Sequence, residues 1–245
     1  FEKYENNPVI RHFPIDGSSD FRDPKVTEID GTFYMVCGSG KDGIGKILLY
    51  SSTNLLEWHY VGVLFEGKEF GSVLECPDFF PFQDKYILMF SQMGRSTHST
   101  MFVYGDFDGK NFRPISFHTP EIGPHFYAPQ TFSDALGRRI VIGWLYSWQK
   151  KVDEGVEYAG ALSIPREIKI RDGKISTFPV SEAANLLTTT DELVQVEDRK
   201  IIIRPAEFDS PLEYSGDINS VDILRDTKTI ELFINKGEAS FSYWI

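Results

Sequence analysis

The sequence has 245 residues, 41% hydrophobic and 14% aromatic, an ordinary globular composition with ample apolar mass for a core. A formal net charge of -11 argues against nucleic-acid and anionic-membrane partners, and no apolar run approaches membrane-spanning length. Two cysteines, Cys37 and Cys76, fall at expected strand edges and do not make a disulfide framework, so a reduced pair and a cytoplasmic location are the expectation, with a secreted protein left open.

Residues 1–20 are polar and turn-rich, with Asn6-Asn7-Pro8 and Asp16-Gly17-Ser18-Ser19, and predict an extended lead-in with a short strand near Val9-Ile10. From Phe21 onwards short apolar runs alternate with tight turns. Phe33–Cys37, Lys46–Tyr50 and Trp58–Leu64 predict strands, followed by Tyr86–Phe90 and Thr100–Tyr104. Ile140–Trp144 and Tyr158–Ser163 continue the pattern to a hairpin on Asp172-Gly173. Ser181–Leu187 is the best short-helix candidate, with Ser181 as N-cap. Beyond about residue 185 a charged run leads into Ile201–Ile203, Ser220–Leu224 and the hairpin Thr229–Ile234 with Ala239–Tyr243. These predict a second antiparallel sheet system, dividing the chain into residues 1–184 and 185–245.

The central stretch is Glu75-Cys76-Pro77-Asp78-Phe79-Phe80. Acid–base chemistry favours such a place, because apolar surroundings raise a carboxyl pKa. Arg22-Asp23-Pro24-Lys25 before it and Tyr127-Ala128-Pro129-Gln130 after it repeat the local design, each ahead of a turn and an apolar strand. Asp23 to Glu75 is 52 residues and Glu75 to Tyr127 is 52 again. A period near ~50 built from short strands is the signature of propeller blades. On that reading Asp23, Glu75 and Tyr127 converge on one channel. Two carboxylates across a sugar ring are the minimum equipment for glycoside hydrolysis. Taken alone, Asp23 beside Arg22 reads first as a structural ion pair at a strand start.

Other patterns carry less. Gly40-Lys41-Asp42-Gly43-Ile44-Gly45-Lys46 nearly spells a phosphate loop, but a strand comes next where the motif needs a helix N-terminus, so it predicts a hairpin. The five histidines show no metal-ligand spacing, and His125 reads as a loop residue. Phe126, Tyr127, Trp144 and Trp148 are candidates for sugar stacking, with core packing as the equal alternative.

Taken together these residues resemble glycoside hydrolase family 32, the invertase, levanase and sucrose-6-phosphate hydrolase group. Arg22-Asp23-Pro24 matches its RDP motif and Glu75-Cys76 its EC motif. Phe126–Gln130, Arg138-Arg139 with Gly143-Trp144, and Leu162–Glu167 match further signatures in order. Ile230–Glu238 resembles a strand pair of the family's C-terminal sandwich. The resemblance implies an all-β chain: a five-bladed β-propeller followed by a β-sandwich, here short or partial. It also implies hydrolysis of terminal β-D-fructofuranosides (sucrose, sucrose-6-phosphate or fructan) with retention. Glu75 would be the general acid/base, and Asp23 would hold fructose hydroxyls and stabilise the transition state, with Arg22 beside it. Cys76 would tune Glu75, while Tyr127 and Trp144 would line the sugar pocket. No metal or cofactor is implied.

Two departures stand out. The family's nucleophilic aspartate lies in a W-[ML]-N-D-P-N-G motif on the first blade, and this sequence lacks it. The lead-in Glu5–Ile10 matches the family's segment just after that blade, so the expectation is a chain that begins beyond it. The second departure is His125, which stands where the family often has an aspartate. The expected partners are a fructoside and either a second copy of the chain or a complementing N-terminal segment. The rival reading is a carbohydrate-binding relic that has lost turnover.

Overall fold

The computed structural model describes residues 2–146, 157–171, 173–204 and 211–245. Trp148 and Asp172 lie outside them. Two compact units are present, Phe1–Arg95 with Thr100–His118, and Ser96–Ser99 with Thr119–Ile245. Strands dominate both, as the short apolar runs predict, and the described helical segments are two 3-10 turns.

The first unit holds two four-stranded antiparallel meanders. One runs β1 (Phe21–Ile29), β2 (Thr32–Lys41), β3 (Ile44–Ser52) and β4 (His59–Gly67). The other runs β5 (Leu74–Phe82), β6 (Lys85–Gln92), β7 (Thr100–Phe107) and β8 (Phe112–His118). Asp30-Gly31 and Asp42-Gly43 join strands with positive φ at both residues, 49° and 76°, then 54° and 77°. Such two-residue turns match the twist of the strands they connect. The near-phosphate loop is therefore the β2–β3 hairpin.

Strand β2 is buried on both faces, and its alternate residues feed two cores. Val36 packs with Leu49, Leu74, Phe79 and Phe90 in a core common to both sheets. Met35 and Cys37 pack with Leu48 and Tyr50 on the opposite face. Gly38 permits the sheets to approach, since a Cβ there would stand 2.4 Å from the Leu74 carbonyl oxygen. That contact seats the start of β5, and Glu75 with it, against β2.

The second unit begins with β9 (Tyr127–Ser133), β10 (Arg139–Leu145), β11 (Ala161–Leu162), β12 (Arg166–Arg171) and β13 (Lys174–Pro179) in one sheet. Two three-stranded sheets come after it. They are β14 (Val194–Glu197), β15 (Lys200–Ile203) and β16 (Leu212–Ser215), then β17 (Val221–Arg225), β18 (Thr229–Ile234) and β19 (Ala239–Trp244). Ile201 and Ile203 of the first pack with Ile223, Leu232 and Phe241 of the second. Two antiparallel sheets closed over one apolar layer are the packing a sandwich requires.

Local expectations differ in four places. Val9-Ile10 is a bend, because its neighbours offer no ladder partner. Residues 181–186 form a 3-10 turn with Val180 at the cap, and Ser181 makes no capping bond. Strand formation in 158–163 is confined to Ala161–Leu162. Cys37 and Cys76 sit inside β2 and β5 instead of at strand edges, and neither is in a disulfide.

Candidate active site

The same irregularity opens β1, β5 and β9. Arg22 pairs with Gly38, and the ladder resumes at Lys25 opposite Val36. Glu75 pairs with Ser91, and the ladder resumes at Asp78 opposite Met89. Tyr127 pairs with Trp144, and the next partners are Gln130 and Ile142. Each bulge skips a residue and the proline after it, namely Asp23-Pro24, Cys76-Pro77 and Ala128-Pro129. The skipped residues carry φ of 58°, 50° and 49°. Left-handed backbone at a non-glycine residue costs of order 1–3 kcal/mol, and a bulge re-aims the side chains on either side of it.

These bulges correct the repeat. The equivalent positions are Asp23, Cys76 and Ala128, and one residue earlier Arg22, Glu75 and Tyr127. The 52-residue step from Asp23 to Glu75 joined two different positions. Asp23 and Glu75 are brought together all the same, since neighbouring residues of the β1 bulge reach successive residues of β5.

Arg22 Nε donates to Glu75 Oε1 at 2.9 Å, and Nη1 donates to Asp20 Oδ1 at 2.9 Å. Asp23 Oδ2 accepts from the Cys76 backbone N–H at 2.9 Å and lies 3.4 Å from its Sγ. Lys25 Nζ stands 3.5 Å from Asp78 Oδ2, and Asp78 is fully buried. Beyond the bulge, Thr27 Oγ1 donates to the Phe79 carbonyl at 2.7 Å. Four successive contacts thus tie β1 to β5 and set both carboxylates.

The charges are set by these contacts. The hydrogen bond to Asp20 raises the Arg22 guanidinium above its ordinary value against the cost of desolvation, and Glu75 adds to the rise. Burial pushes the Cys76 thiol up to about 12, helped by Asp23. Burial and Asp23 likewise carry Cys37 to about 12. Both are neutral thiols at physiological pH. Cys76 is therefore a neutral donor aimed at Asp23, and it also lies within electrostatic reach of Glu75. Beside Arg22 a pocket of about 310 Å³ opens between Pro8, Val9 and Ile10 of the lead-in and Phe21, Met35 and Cys37.

In the second unit Tyr127 and Trp144 are cross-strand partners, both half-buried. Trp144 stacks on Tyr146 with ring centroids 4.5 Å apart and planes 8° apart. His125 lies in the loop ahead of β9, as the sequence predicts, and is buried there. Its Nδ1 accepts the Trp244 backbone N–H at 2.9 Å, and its ring stacks on Tyr243. The sequence reading passed over two charged groups. Asp78 stood in the central motif without a role. Glu231 is a lone charge in the apolar run Thr229–Ile234, a signal that marks a paired buried carboxylate. Among the described residues no group of three His, Cys, Asp and Glu side chains could hold a metal ion.

The description "Glycosyl hydrolases family 32 N-terminal domain" matches residues 1–179. The chain belongs to glycosyl hydrolase family 32. A raffinose invertase of Escherichia coli is 37% identical over 187 residues, 71% of this chain and 39% of the relative. A sucrose-6-phosphate hydrolase of Zymomonas mobilis is 31% identical over 227 residues, 84% of this chain and 44% of the relative. Among solved structures, the family 32 β-fructofuranosidase of Bombyx mori superposes with a TM-score of 0.85 at 25% identity, covering 100% of this chain and 64% of its own. The chain thus spans less than half the length of these two curated relatives.

Proposed function

We propose that this family 32 chain carries the acid/base half of a β-fructofuranosidase site that acts on terminal β-D-fructofuranosides with retention. Sucrose, sucrose-6-phosphate and fructans are its candidate substrates. The observation that carries the reading is the pair of carboxylates on adjoining strands, Glu75 in the grip of Arg22 and Asp23 pinned by Cys76. Support comes from the relatives' names, and a form of the Bombyx enzyme has been solved with sucrose.

The chemistry assigns each group a task. Glu75 protonates the leaving oxygen and later takes a proton from water, so it must pass between neutral and ionised forms. Arg22 Nε holds the Glu75 carboxyl in place by a hydrogen bond, while Asp20 engages Nη1 of the same guanidinium. Asp23 is held in one orientation by the Cys76 N–H and thiol, fixed before substrate arrives, to meet fructose hydroxyls and the cationic transition state. Retention also needs a nucleophilic carboxylate, a role that neither Asp23 nor Glu75 takes here. Tyr127 and Trp144 supply ring faces for the sugar. Residues 1–184 form the catalytic part and residues 185–245 the accessory sheets.

The test is fructose release from sucrose, sucrose-6-phosphate and a fructan by the protein as its gene encodes it, with Glu75→Gln alongside. Turnover in the parent and its loss in the variant support the reading. Undiminished turnover in Glu75→Gln removes the acid/base assignment. Fructoside binding without turnover in the parent makes the protein a carbohydrate-binding one.

A further inference from the structure

Arg166 opens β12 and is fully buried. A guanidinium has five N–H donors, and here all three nitrogens are engaged. Nε and Nη2 reach Glu231 Oε2 at 3.2 and 2.5 Å, and Nη2 reaches Ser242 Oγ at 2.6 Å. Nη1 reaches Glu121 Oε2 at 2.7 Å and Ser240 Oγ at 3.2 Å. The guanidinium carbon lies 4.6 Å from the ring centre of Phe126 and 4.8 Å from that of Phe233. The carboxylates are satisfied in turn. Glu121 Oε1 accepts from the N–H groups of Gly123 and Ser242, and Glu231 Oε1 accepts from that of Ile164.

A cluster that only held the β18–β19 hairpin to β12 would need Glu231, Ser240 and Ser242. This one also grips Glu121 and Phe126, which lie on the approach to β9. That approach runs along β19 through one parallel bridge, Glu121 with Ser240, and a few backbone hydrogen bonds. Ser240 N donates to the Pro120 carbonyl, Ile122 N to that of Ser240, and His125 N to that of Ser242. His125 completes the run by accepting from Trp244 N. Phe126 comes next, with its carbonyl bound by Ser99 Oγ at 2.9 Å, and then Tyr127 and the strained Ala128.

We infer that Arg166 is a positioning residue for Tyr127. Through Glu121 and Phe126 it fixes where the chain leaves the β19 edge and enters the β9 bulge. The C-terminal hairpin is then a template for the site strand as well as a cover for the core. The consequence for catalysis rests on the sugar-binding role proposed above for Tyr127.

The experiment compares Ser242→Ala, Glu231→Gln and Arg166→Lys with the parent by amide hydrogen exchange and by steady-state kinetics on sucrose. Ser242→Ala and Glu231→Gln loosen the cluster without leaving a carboxylate facing an empty site, so they carry the test where the arginine variant does not fold. Exchange over residues 126–131 should accelerate about tenfold, with the amides of β2 and β3 unchanged. KM should rise several-fold while kcat stays within about twofold, the pattern of a displaced binding group. Arg166→Lys keeps the charge but not the fork, and should lie further along the same line. A lowered melting temperature with no selective acceleration over 126–131 and an unchanged KM would overturn the inference. If the parent releases no fructose from any fructoside, the proposed function fails, and the exchange measurement alone decides the positioning claim.

Discussion

Arg22 and Arg166 each stand between two carboxylates, yet they are built for opposite ends. Arg22 is 34% exposed and holds Asp20 and Glu75 with one hydrogen bond each. Arg166 is wholly buried, and two carboxylates, two hydroxyls and two aromatic rings surround it. Burial raises the Glu231 carboxyl, and Arg166 opposes that rise. The guanidinium itself is driven down by burial, yet Glu231 and Glu121 hold it above its ordinary value. A half-open pair can be remade in the course of a reaction, because water replaces any contact that breaks. A sealed cluster cannot, since each broken contact leaves a bare charge in an apolar medium. The first arrangement suits proton transfer and the second suits fixing a backbone.

The largest effect that would break this contrast lies in the open site. Glu75→Gln keeps an acceptor for Arg22 and removes the ionisable carboxyl, so kcat should fall roughly 10²–10⁴-fold while the urea midpoint changes little. Equal activity in the variant would strip Glu75 of its role. The sealed site should behave in reverse. Arg166→Met leaves Glu121 and Glu231 buried without their cation, and should cost about 3–5 kcal/mol in denaturant unfolding. Arg22→Met should cost under about 1 kcal/mol, because the ion pair it breaks is half-solvated. Comparable stability losses at the two arginines would erase the distinction drawn between them.

Much of this was legible in the sequence, and the misses have physical reasons. The alternation of β-branched and aromatic runs with Asp-Gly turns announced the sheets, because turn type and strand twist are local properties. The three X-Pro bulges were visible as a repeat, but their register was not. A bulge skips residues in the ladder, so counting along the chain paired Asp23 with Glu75 instead of with Cys76. His125 is a loop histidine as read, but nothing local tells that β19, more than a hundred residues on, supplies the N–H it accepts. Arg166 was visible only as a letter in a familiar string. Its partners, Glu121 and Glu231, come from distant parts of the chain, and only Glu231 carried a hint, a charge inside an apolar strand.

A smaller effect sharpens the comparison from the thiols. With both cysteines raised to about 12, the folded chain keeps protons that the unfolded chain releases from about pH 9 upward. Their contribution is therefore intact below about pH 9 and declines as pH climbs through the window between the two values. Urea midpoints should hold from about pH 7 to 8.5 and fall by about pH 10. Native labelling by iodoacetamide at about pH 8.5 should run slower than in denaturant by about two orders of magnitude. Labelling at the denatured rate would show that the thiols are not held as the structure places them.

The smallest expected change tests whether Cys76 acts on Asp23 through its thiol or through its backbone. The Cys76 N–H bond to Asp23 is 2.9 Å, whereas the sulfur stands at 3.4 Å, and a thiol is a weak donor. The backbone bond survives any substitution that keeps the bulge, so Cys76→Ala should lower kcat/KM only a few-fold and stability by about 1 kcal/mol or less. Cys76→Ser offers a stronger donor to the same oxygen and should recover most of the activity that Cys76→Ala loses. Should alanine and serine give the same kinetics, Asp23 is oriented by the β5 backbone alone. The strained φ at residue 76 is then the feature that matters at this position, because it is what aims that N–H at the carboxylate.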